Sequence, residues 1–72
     1  MVTLKLKSDK EDFIRLGQAL KAAGLVEMGS DAKGFIQDGE VKVNGETETR
    51  RGRKLYDGDV FTFAGNEVKV QK

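Results

Sequence analysis

The chain has 72 residues, of which 38% are hydrophobic and 35% are charged, and its 13 Lys and Arg nearly balance its 12 Asp and Glu. This length predicts one domain, residues 1–72, with a small core. Cys and His are absent, which excludes disulfides and removes the commonest general base and metal ligand. No stretch approaches the roughly 20 apolar residues of a membrane span, and no signal peptide is recognisable. We therefore expect a cytoplasmic location and no membrane partner.

The N-terminal third predicts a strand followed by a helix. Residues 2–7 alternate apolar and polar side chains, as on a half-buried strand. Ser8 stands three residues before Glu11, the spacing of a capping box, and predicts a helix over residues 9–23. Gly17 lies inside this helix, where it costs about 1 kcal/mol relative to Ala. We infer that the backbone of another segment passes close to Gly17.

A second, shorter helix is predicted from Ser30 to about Asp38. Gly24 suits the end of the first helix and Gly39 the end of the second, because Gly readily adopts the left-handed conformation found there. Ser30 is a favourable N-cap residue. Since only about five residues join the two helices, we expect them to cross and pack against each other.

After the second helix the apolar period changes to two, which predicts about four strands. Asn44-Gly45 is a strong hairpin signal, and the polar return segment, residues 46–49, predicts a sheet edge. Leu55 and Tyr56 are expected to turn inward, and Gly65-Asn66 to form a second two-residue turn. The predicted fold is α+β, with two packed helices followed by a small β-hairpin sheet that the N-terminal strand joins.

The apolar faces of these elements define the predicted core. Its members share the inward positions of their helix or strand: Phe13, Leu16, Leu20, Phe35, Ile36, Val41, Val43, Phe61 and Phe63. Phe35 and Tyr56 are also of the residue type that stacks on nucleobases. Phe35 fits the core better, because it shares a helix face with Ala32 and Ile36, whereas both interpretations stay open for Tyr56.

The densest charge of the chain lies in residues 50–54, which we call the cationic loop. Four of its five residues are cations: Arg50, Arg51, Arg53 and Lys54. In a nearly neutral chain such a cluster indicates an anionic partner, although most charged runs only keep a protein in solution. Arg binds phosphate through a planar donor fork, and Gly52 permits an unusual backbone turn. The cationic loop is therefore a candidate phosphate clamp.

The start of the second helix is the other candidate. Free amides at a helix N-terminus suit a phosphate, and Ser30 and Lys33 would add to them, although a plain N-cap with a surface Lys explains the same residues. We expect one basic surface to join this helix start to the cationic loop. Lys42, on the strand face opposite the apolar residues, is a weaker member, and Arg15 is weaker still.

Signals for catalysis are weak. Asp57-Gly58-Asp59 is a common turn arrangement, and no His, Cys or second acidic cluster accompanies it. The sequence has no phosphate-binding glycine loop and no metal-ligand spacing. We therefore predict no enzymatic activity, no cofactor and no metal.

Several short motifs along the chain occur together in one known family. They are Arg15-Leu16, Gly24-Leu25, Ala32-Lys33, Phe35-Ile36, Gly39-Glu40-Val41-Lys42-Val43-Asn44-Gly45 and Gly58-Asp59. Residues 15–61 thus resemble the αL RNA-binding motif, the small domain named after ribosomal small-subunit protein four. That domain is typically two packed helices followed by a β-hairpin region, and the resemblance implies RNA binding.

Two departures indicate a narrower group within that family. Gly17 stands where the family has Asp, and Met28-Gly29 stands where it has Ser-Arg. Both features resemble the stand-alone bacterial proteins of the YaaA/YbcJ type. The resemblance implies that the cationic loop replaces the lost helix Arg as the phosphate contact.

The sequence leaves two interpretations of function. The first is a non-enzymatic RNA-binding module for structured RNA such as ribosomal RNA, acting through Ser30, Lys33, Lys42 and the four cations of the cationic loop. The alternative is a small adaptor, acting on the ribosome, whose cations bind an acidic protein partner.

Overall fold

The computed structural model describes residues 2–6 and 12–72. Seven strands and two helices follow one another in the order β1 (Val2–Lys5), β2 (Phe13–Arg15), α1 (Leu16–Ala22), α2 (Gly29–Gln37), β3 (Val41–Val43), β4 (Glu46–Thr47), β5 (Lys54–Tyr56), β6 (Val60–Phe63) and β7 (Asn66–Gln71). Neither helix in these residues is long and apolar enough to cross a membrane.

The strands form two sheets. The larger has five strands in the order β1-β7-β6-β3-β4, and the smaller pairs β2 with β5. β1 runs parallel to β7, whereas the other neighbours are antiparallel. The polar return segment lies at the sheet edge as β4, which confirms that prediction. The N-terminal strand joins the sheet at the opposite edge, so the sheet is mixed.

The core lies where the two helices meet one face of the five-stranded sheet. Its buried members come from both helices, the connection between them, and β3, β5, β6 and β7: Leu16, Ala19, Leu20, Val26, Ala32, Ile36, Val41, Val43, Leu55, Phe61, Val68 and Val70. Three predicted core residues instead lie at its margin. Phe35 is 37% exposed, with its ring 4.9 Å from that of partly buried Phe63, and Phe13 lies on the small sheet. The remaining predicted core residues are confirmed.

The prediction of a helix over residues 9–23 is wrong at its start. Phe13–Arg15 form β2, which pairs with β5 residue by residue, and α1 begins only at Leu16. Phe and Ile favour strands when a partner strand is available, and tertiary pairing overrides the local helical pattern here. The proposed capping box of Ser8 and Glu11 lies outside the described residues.

Pairing with β2 also corrects the placement of Tyr56. Leu55 is fully buried, whereas Tyr56 is 48% exposed. Successive side chains of a strand point to opposite faces, so the two residues cannot both turn inward.

The start of α2 differs from the prediction by one residue. The helix begins at Gly29, with Met28 in the N-cap position and extended backbone. The carbonyl of Met28 accepts hydrogen bonds from the amides of Asp31 and Ala32. Ser30 is therefore the second residue of the helix and not its N-cap.

Two hairpin turns use left-handed backbone. Asn44 and Gly45 have φ values of 52° and 85°, which confirms the first predicted hairpin. The second turn is displaced by one residue from Gly65-Asn66, because Phe63 pairs with Asn66. Ala64 and Gly65 form it instead, with φ values of 52° and 80°.

Candidate nucleic-acid interface

The backbone of the cationic loop is docked on the start of α1. The amide of Leu16 donates to the carbonyl of Arg53 at 2.8 Å, and the amide of Gly17 donates to the carbonyl of Arg51 at 3.0 Å. These amides are among those that a helix cannot satisfy internally. The loop carbonyls therefore cap α1 and fix the loop to it.

The loop backbone also passes close to Gly17. A Cβ atom at this position would lie 3.6 Å from the carbonyl oxygen of Arg51 and 3.7 Å from the Cβ of Arg51. The inference that another backbone passes close to Gly17 is confirmed. These distances are ordinary van der Waals contacts, so the site would still hold a methyl group.

Within the loop the chain reverses in a turn from Arg50 to Arg53. The amide of Arg53 donates to the carbonyl of Arg50 at 3.2 Å. Gly52 is not among the residues with positive φ, so the expectation of an unusual backbone conformation there is wrong. The carbonyl of Gly52 accepts a hydrogen bond from Nη1 of Arg15 at 3.1 Å, which ties the loop to β2 as well.

A buried carboxylate organises two of the four loop cations. Glu48 is only 6% exposed. Its oxygens accept from Nε and Nη2 of Arg50 at 3.1 and 3.2 Å and from Nη1 of Arg53 at 2.9 Å. The amides of Thr49 and Arg50 donate to it as well, each at 3.1 Å. Glu48 is thus the anchor of the loop, a role that the sequence analysis missed.

These contacts change the acidity of the carboxyl group. The hydrogen bonds from Arg50 lower the pKa of Glu48 to about 2; burial opposes that shift, and the bond from Arg53 adds to it. The same pairing raises the pKa of Arg50. Near neutral pH, Glu48 is therefore a charged, hydrogen-bonded anchor, as its burial requires.

Glu48 divides the loop cations into two kinds. Arg50 and Arg53 are held by the carboxylate, although the side chain of Arg50 is still 73% exposed. Arg51 and Lys54 are exposed and form no ion pair with any carboxylate in residues 2–6 and 12–72. Their charges are the ones that remain for an external anion.

A groove lies beside the loop, which we call the basic groove. It has a volume of about 440 Å³, and residues from β2, both helices and the loop line it: Arg15, Gly17, Gln18, Lys21, Gly29, Arg51 and Gly52. Three of these residues are cations, and no acidic residue of the described chain is among them. Gly29 is the first residue of α2, so the groove joins the cationic loop to the start of the second helix.

The predicted site residues lie in four places. Arg51 lines the basic groove, and the other loop cations line a second open depression that shares Gly52 with it. Ser30 and Lys33 are exposed on α2, close in sequence to Gly29 but outside the groove lining. Lys42 is exposed between Thr47 and Thr62 on the outer face of the five-stranded sheet.

A comparison with protein families decides the classification. Residues 6–71 match the family model described as S4 domain. The chain belongs to this family. The S4 domain assignment agrees with the α+β fold observed and with the αL motif on which the resemblance rested.

Bacterial proteins similar to this S4 domain include the following two. The "Probable ribosome maturation protein RlbA" of Bacillus subtilis (strain 168) is 50% identical over 54 residues, which cover 75% of this chain and 76% of that protein. The "Putative RNA-binding protein YbcJ" of Escherichia coli (strain K12) is 41% identical over 61 residues, which cover 85% of this chain and 87% of that protein.

A solved structure matches the fold. The solution structure of E. coli YbcJ, described as revealing an αL motif involved in RNA binding, superposes with a TM-score of 0.75 at 39% sequence identity. The match covers all of this chain and 89% of that one. The S4 domain of this chain therefore has the architecture of the YbcJ-type group.

The two most specific parts of the S4 motif meet in the structure. Nδ2 of Asn44 donates to Oδ1 of Asp59 at 3.1 Å, and Oδ1 of Asn44 accepts from the amide of Val60 at 3.0 Å. The other oxygen of Asp59 accepts from the amide of Tyr56 at 2.7 Å. Asn44 and Asp59 thus join the hairpin to the turn before β6.

The acidic side chains in this region accept hydrogen bonds from backbone amides. Besides the bonds of Asp59, Oδ1 of Asp57 accepts from the amide of Lys72 at 3.0 Å. Across residues 2–6 and 12–72, no group of three Asp, Glu, His or Cys side chains is arranged to hold a metal ion.

Sequence analysis missed Lys21 and Gln18 and ranked Arg15 low. Arg15, Gln18 and Lys21 follow one another at a spacing of three residues. Arg15 directly precedes α1 and the other two lie in it, so the three side chains are neighbours along one side of the helix. That polar stripe is visible in the sequence. Its proximity to the cationic loop is not, because the docking depends on carbonyls of the loop, whose position follows from tertiary structure.

Proposed function

We propose that this S4 domain protein is a non-enzymatic RNA-binding module that contacts structured RNA, and specifically ribosomal RNA. The observation that carries the proposal is the basic groove, where Arg15, Lys21 and Arg51 converge beside the first residue of α2. The name of the relative YbcJ and the description of its structure both state RNA binding for that protein. Ribosomal RNA is the target suggested by the name of the B. subtilis relative, a ribosome maturation protein.

The chemistry of the basic groove suits a phosphate backbone. Two of its three cations are Arg, whose fork of donors matches the oxygens of a phosphate. Because no acid of the described residues lines the groove, a phosphate there meets attraction without local repulsion. Each neutralised phosphate also releases condensed counterions, which is the main source of affinity for nucleic acid at modest salt concentration.

The start of α2 extends the same surface. Its first residue, Gly29, lines the groove, and the amides at a helix start carry partial positive charge, whereas the first two amides of α1 are occupied by loop carbonyls. We assign Ser30 and Lys33 as flanking contacts on the exposed side of this helix start. Lys42 lies on a different face, so we assign it the weakest contribution.

The loop cations have different roles in this proposal. Glu48 holds Arg50 and Arg53 in fixed positions, so their contribution is a preorganised surface whose attraction is partly offset by the carboxylate. Arg51 and Lys54 have no such partner among the described residues and supply most of the attraction. A preorganised loop binds with a smaller loss of conformational entropy than a flexible one.

The direct test is crosslinking in bacterial cells followed by sequencing of the bound RNA. We expect fragments of ribosomal RNA from the wild-type protein, and a large loss of them from the Lys21→Ala/Arg51→Ala variant at equal protein level. A Lys69→Glu variant, on the outer face of β7, has the same net charge and serves as the control. Recovery of an acidic protein in place of RNA would contradict the proposal and support the adaptor function. With ribosomal RNA as the target, we expect the activity to be cytoplasmic.

The absence of catalysis is tested on the purified protein. Asp57 and Asp59 accept backbone hydrogen bonds, so we assign them a structural role. We expect bound RNA and nucleotides to remain intact in the presence of Mg²⁺. Metal-dependent hydrolysis that disappears in Asp57→Asn or Asp59→Asn would overturn the non-enzymatic assignment.

A further inference from the structure

The small sheet of β2 and β5 has two aromatic rings and two cations on one face. Phe13 pairs with Tyr56, and Arg15 pairs with Lys54. Residues two apart in a strand share a face, so these two aromatic rings and two cations lie together. Between them, Ile14 and Leu55 point to the other side, where Leu55 is fully buried and Ile14 packs against the core. We call the face with the rings the aromatic–cationic face.

Contacts within this face are close. The rings of Phe13 and Tyr56 have centroids 5.9 Å apart and are tilted by 54°. Nζ of Lys54 lies 4.8 Å from the centroid of Phe13, and the guanidinium carbon of Arg15 lies 5.6 Å from it. Phe13 is thus partly covered by its neighbours, whereas Tyr56 remains 48% exposed. Tyr56 is the ring on which an external group can stack.

This face is continuous with the basic groove. Arg15 belongs to both, because it lines the groove and contacts Phe13. Lys54 belongs to the cationic loop and precedes Tyr56 by two residues, which is about 7 Å along a strand. A polynucleotide whose phosphates lie at Arg51 and Arg15 can therefore place its next base near Tyr56.

We propose that the aromatic–cationic face is a stacking site for an unpaired nucleobase of the bound RNA. Tyr56 is the stacking ring, Phe13 supports it from the side, and Lys54 and Arg15 bind the adjoining phosphates. The proposal rests on the proposed RNA-binding function and identifies the kind of RNA involved. It requires a loop, bulge or end with a base outside the duplex, the element through which proteins usually read structured RNA.

The occupant follows from the chemistry of the face. A nucleotide offers a flat ring and an anion at short distance, and this face offers a flat ring and two cations at short distance. Base–aromatic stacking tolerates any base, because every base has a π-face. The carboxylates next to Tyr56 in sequence accept backbone amides, so they are engaged within the fold.

An intrinsic probe makes the site measurable. The chain contains one Tyr and no Trp, so its tyrosine emission reports on Tyr56 alone. The experiment compares an RNA hairpin that has an unpaired loop with a blunt duplex of equal length. The tyrosine fluorescence lifetime is followed, because absorption of exciting light by RNA does not alter it. We expect the lifetime to shorten with the hairpin and to stay nearly unchanged with the duplex.

Two variants then separate stacking from charge. Tyr56→Ala should lower affinity for the hairpin about tenfold, leave duplex affinity unchanged, and keep the wild-type dependence of log affinity on log salt. Tyr56→Phe should retain hairpin affinity, because it keeps the ring. Both substitutions are at an exposed side chain, and thermal unfolding checks that the fold is intact.

The outcomes distinguish this proposal from the RNA-binding function itself. Hairpin binding at wild-type affinity by Tyr56→Ala, with an unchanged lifetime in the wild type, would overturn the stacking site and leave RNA binding standing. A wild-type protein that binds neither RNA would overturn both. Quenching by polyglutamate but by neither RNA would overturn the stacking site in favour of a protein partner.

Discussion

Nη1 of Arg53 lies 2.9 Å from Oε1 of Glu48, so a buried carboxylate holds one side of a loop whose other cations face solvent. The same carboxylate binds Arg50 and two backbone amides. Isolated ion pairs on a surface add little stability, whereas this one combines burial with several hydrogen bonds. Glu48 therefore connects the stability of the fold with the shape of the cationic loop.

Replacement of Glu48 should make stability less sensitive to acid. The folded protein has a Glu48 pKa of about 2, against an ordinary value of 4.5. A group whose pKa is lowered on folding stabilises the protein fully above its unfolded pKa, and this stabilisation is lost as pH falls from about 4.5 toward 2. We expect Glu48→Gln to lower the free energy of unfolding at pH 7 by about 1–3 kcal/mol, with a smaller difference at pH 2.

Urea unfolding at several pH values measures this difference. Glu46→Gln is the matched control, because Glu46 is exposed on β4 and has no ion pair among residues 2–6 and 12–72. If the two variants lose equal stability at every pH, Glu48 is not the anchor of the loop.

Asp59 should be more important for stability than Asp57. Removal of the Asp59 carboxylate leaves the amide of Tyr56 and the side chain of Asn44 without their acceptor. We expect Asp59→Ala to lower the free energy of unfolding by about 1–3 kcal/mol. Asp57→Ala loses one bond, to Lys72 at the end of the chain, and should cost less than about 1 kcal/mol. Equal losses in thermal or urea unfolding would contradict this ranking.

Substitution of Ala64 by Asn in the second hairpin turn should stabilise the protein. Ala64 is exposed and has a φ of 52°, a conformation that costs a residue with a Cβ about 1–2 kcal/mol. Asn followed by Gly is the preferred pair for such a turn. We expect Ala64→Asn to raise the free energy of unfolding by about 0.5–1 kcal/mol and Ala64→Val to lower it. A less stable Asn variant would contradict the turn assignment.

Phe61 and Phe35 should differ in their contribution to the core. Phe61 is fully buried, whereas Phe35 is 37% exposed. We expect Phe61→Ala to lower the free energy of unfolding by about 3–5 kcal/mol, a large part of the stability of a small domain. Phe35→Ala should cost roughly half as much, because its ring is partly in water already. Chemical denaturation of both variants measures the two free energies of unfolding. A larger loss of stability in Phe35→Ala than in Phe61→Ala would contradict this expectation.

Much of the fold follows from local sequence patterns. The Asn44-Gly45 hairpin, the edge position of the following segment and the apolar faces around Leu16 and Ile36 depend on short-range geometry, and the structure agrees with them. β2 was missed because its partner, β5, lies far along the chain. A three-residue segment that pairs at long range has no local signal strong enough to distinguish it from the start of a helix.

The candidate site was predictable only in part. A run of cations is visible in the sequence, and so is a Gly inside a predicted helix, from which the nearby backbone at Gly17 was inferred. The anchoring role of Glu48 is not visible, because a Glu in a polar segment is normally exposed. The convergence of Lys21, Arg51 and Gly29 on one groove also depends on how the loop docks on α1. This tertiary arrangement leaves no periodic pattern in the sequence.

In the proposed function, the basic groove binds the phosphates of structured RNA. Its most direct test is the salt dependence of affinity for a structured ribosomal RNA fragment, measured for wild type, Arg51→Ala, Lys21→Ala and the control Lys69→Ala. Lys69 is exposed on β7, between the buried Val68 and Val70, so its side chain lies on the outer face of the sheet.

We expect Arg51→Ala and Lys21→Ala each to weaken binding and to reduce the slope of log affinity against log salt by about 0.7–0.9. Lys69→Ala, with the same loss of charge, should change the slope far less. Wild-type affinity and slope in both groove variants, or an equal loss in Lys69→Ala, would contradict the account.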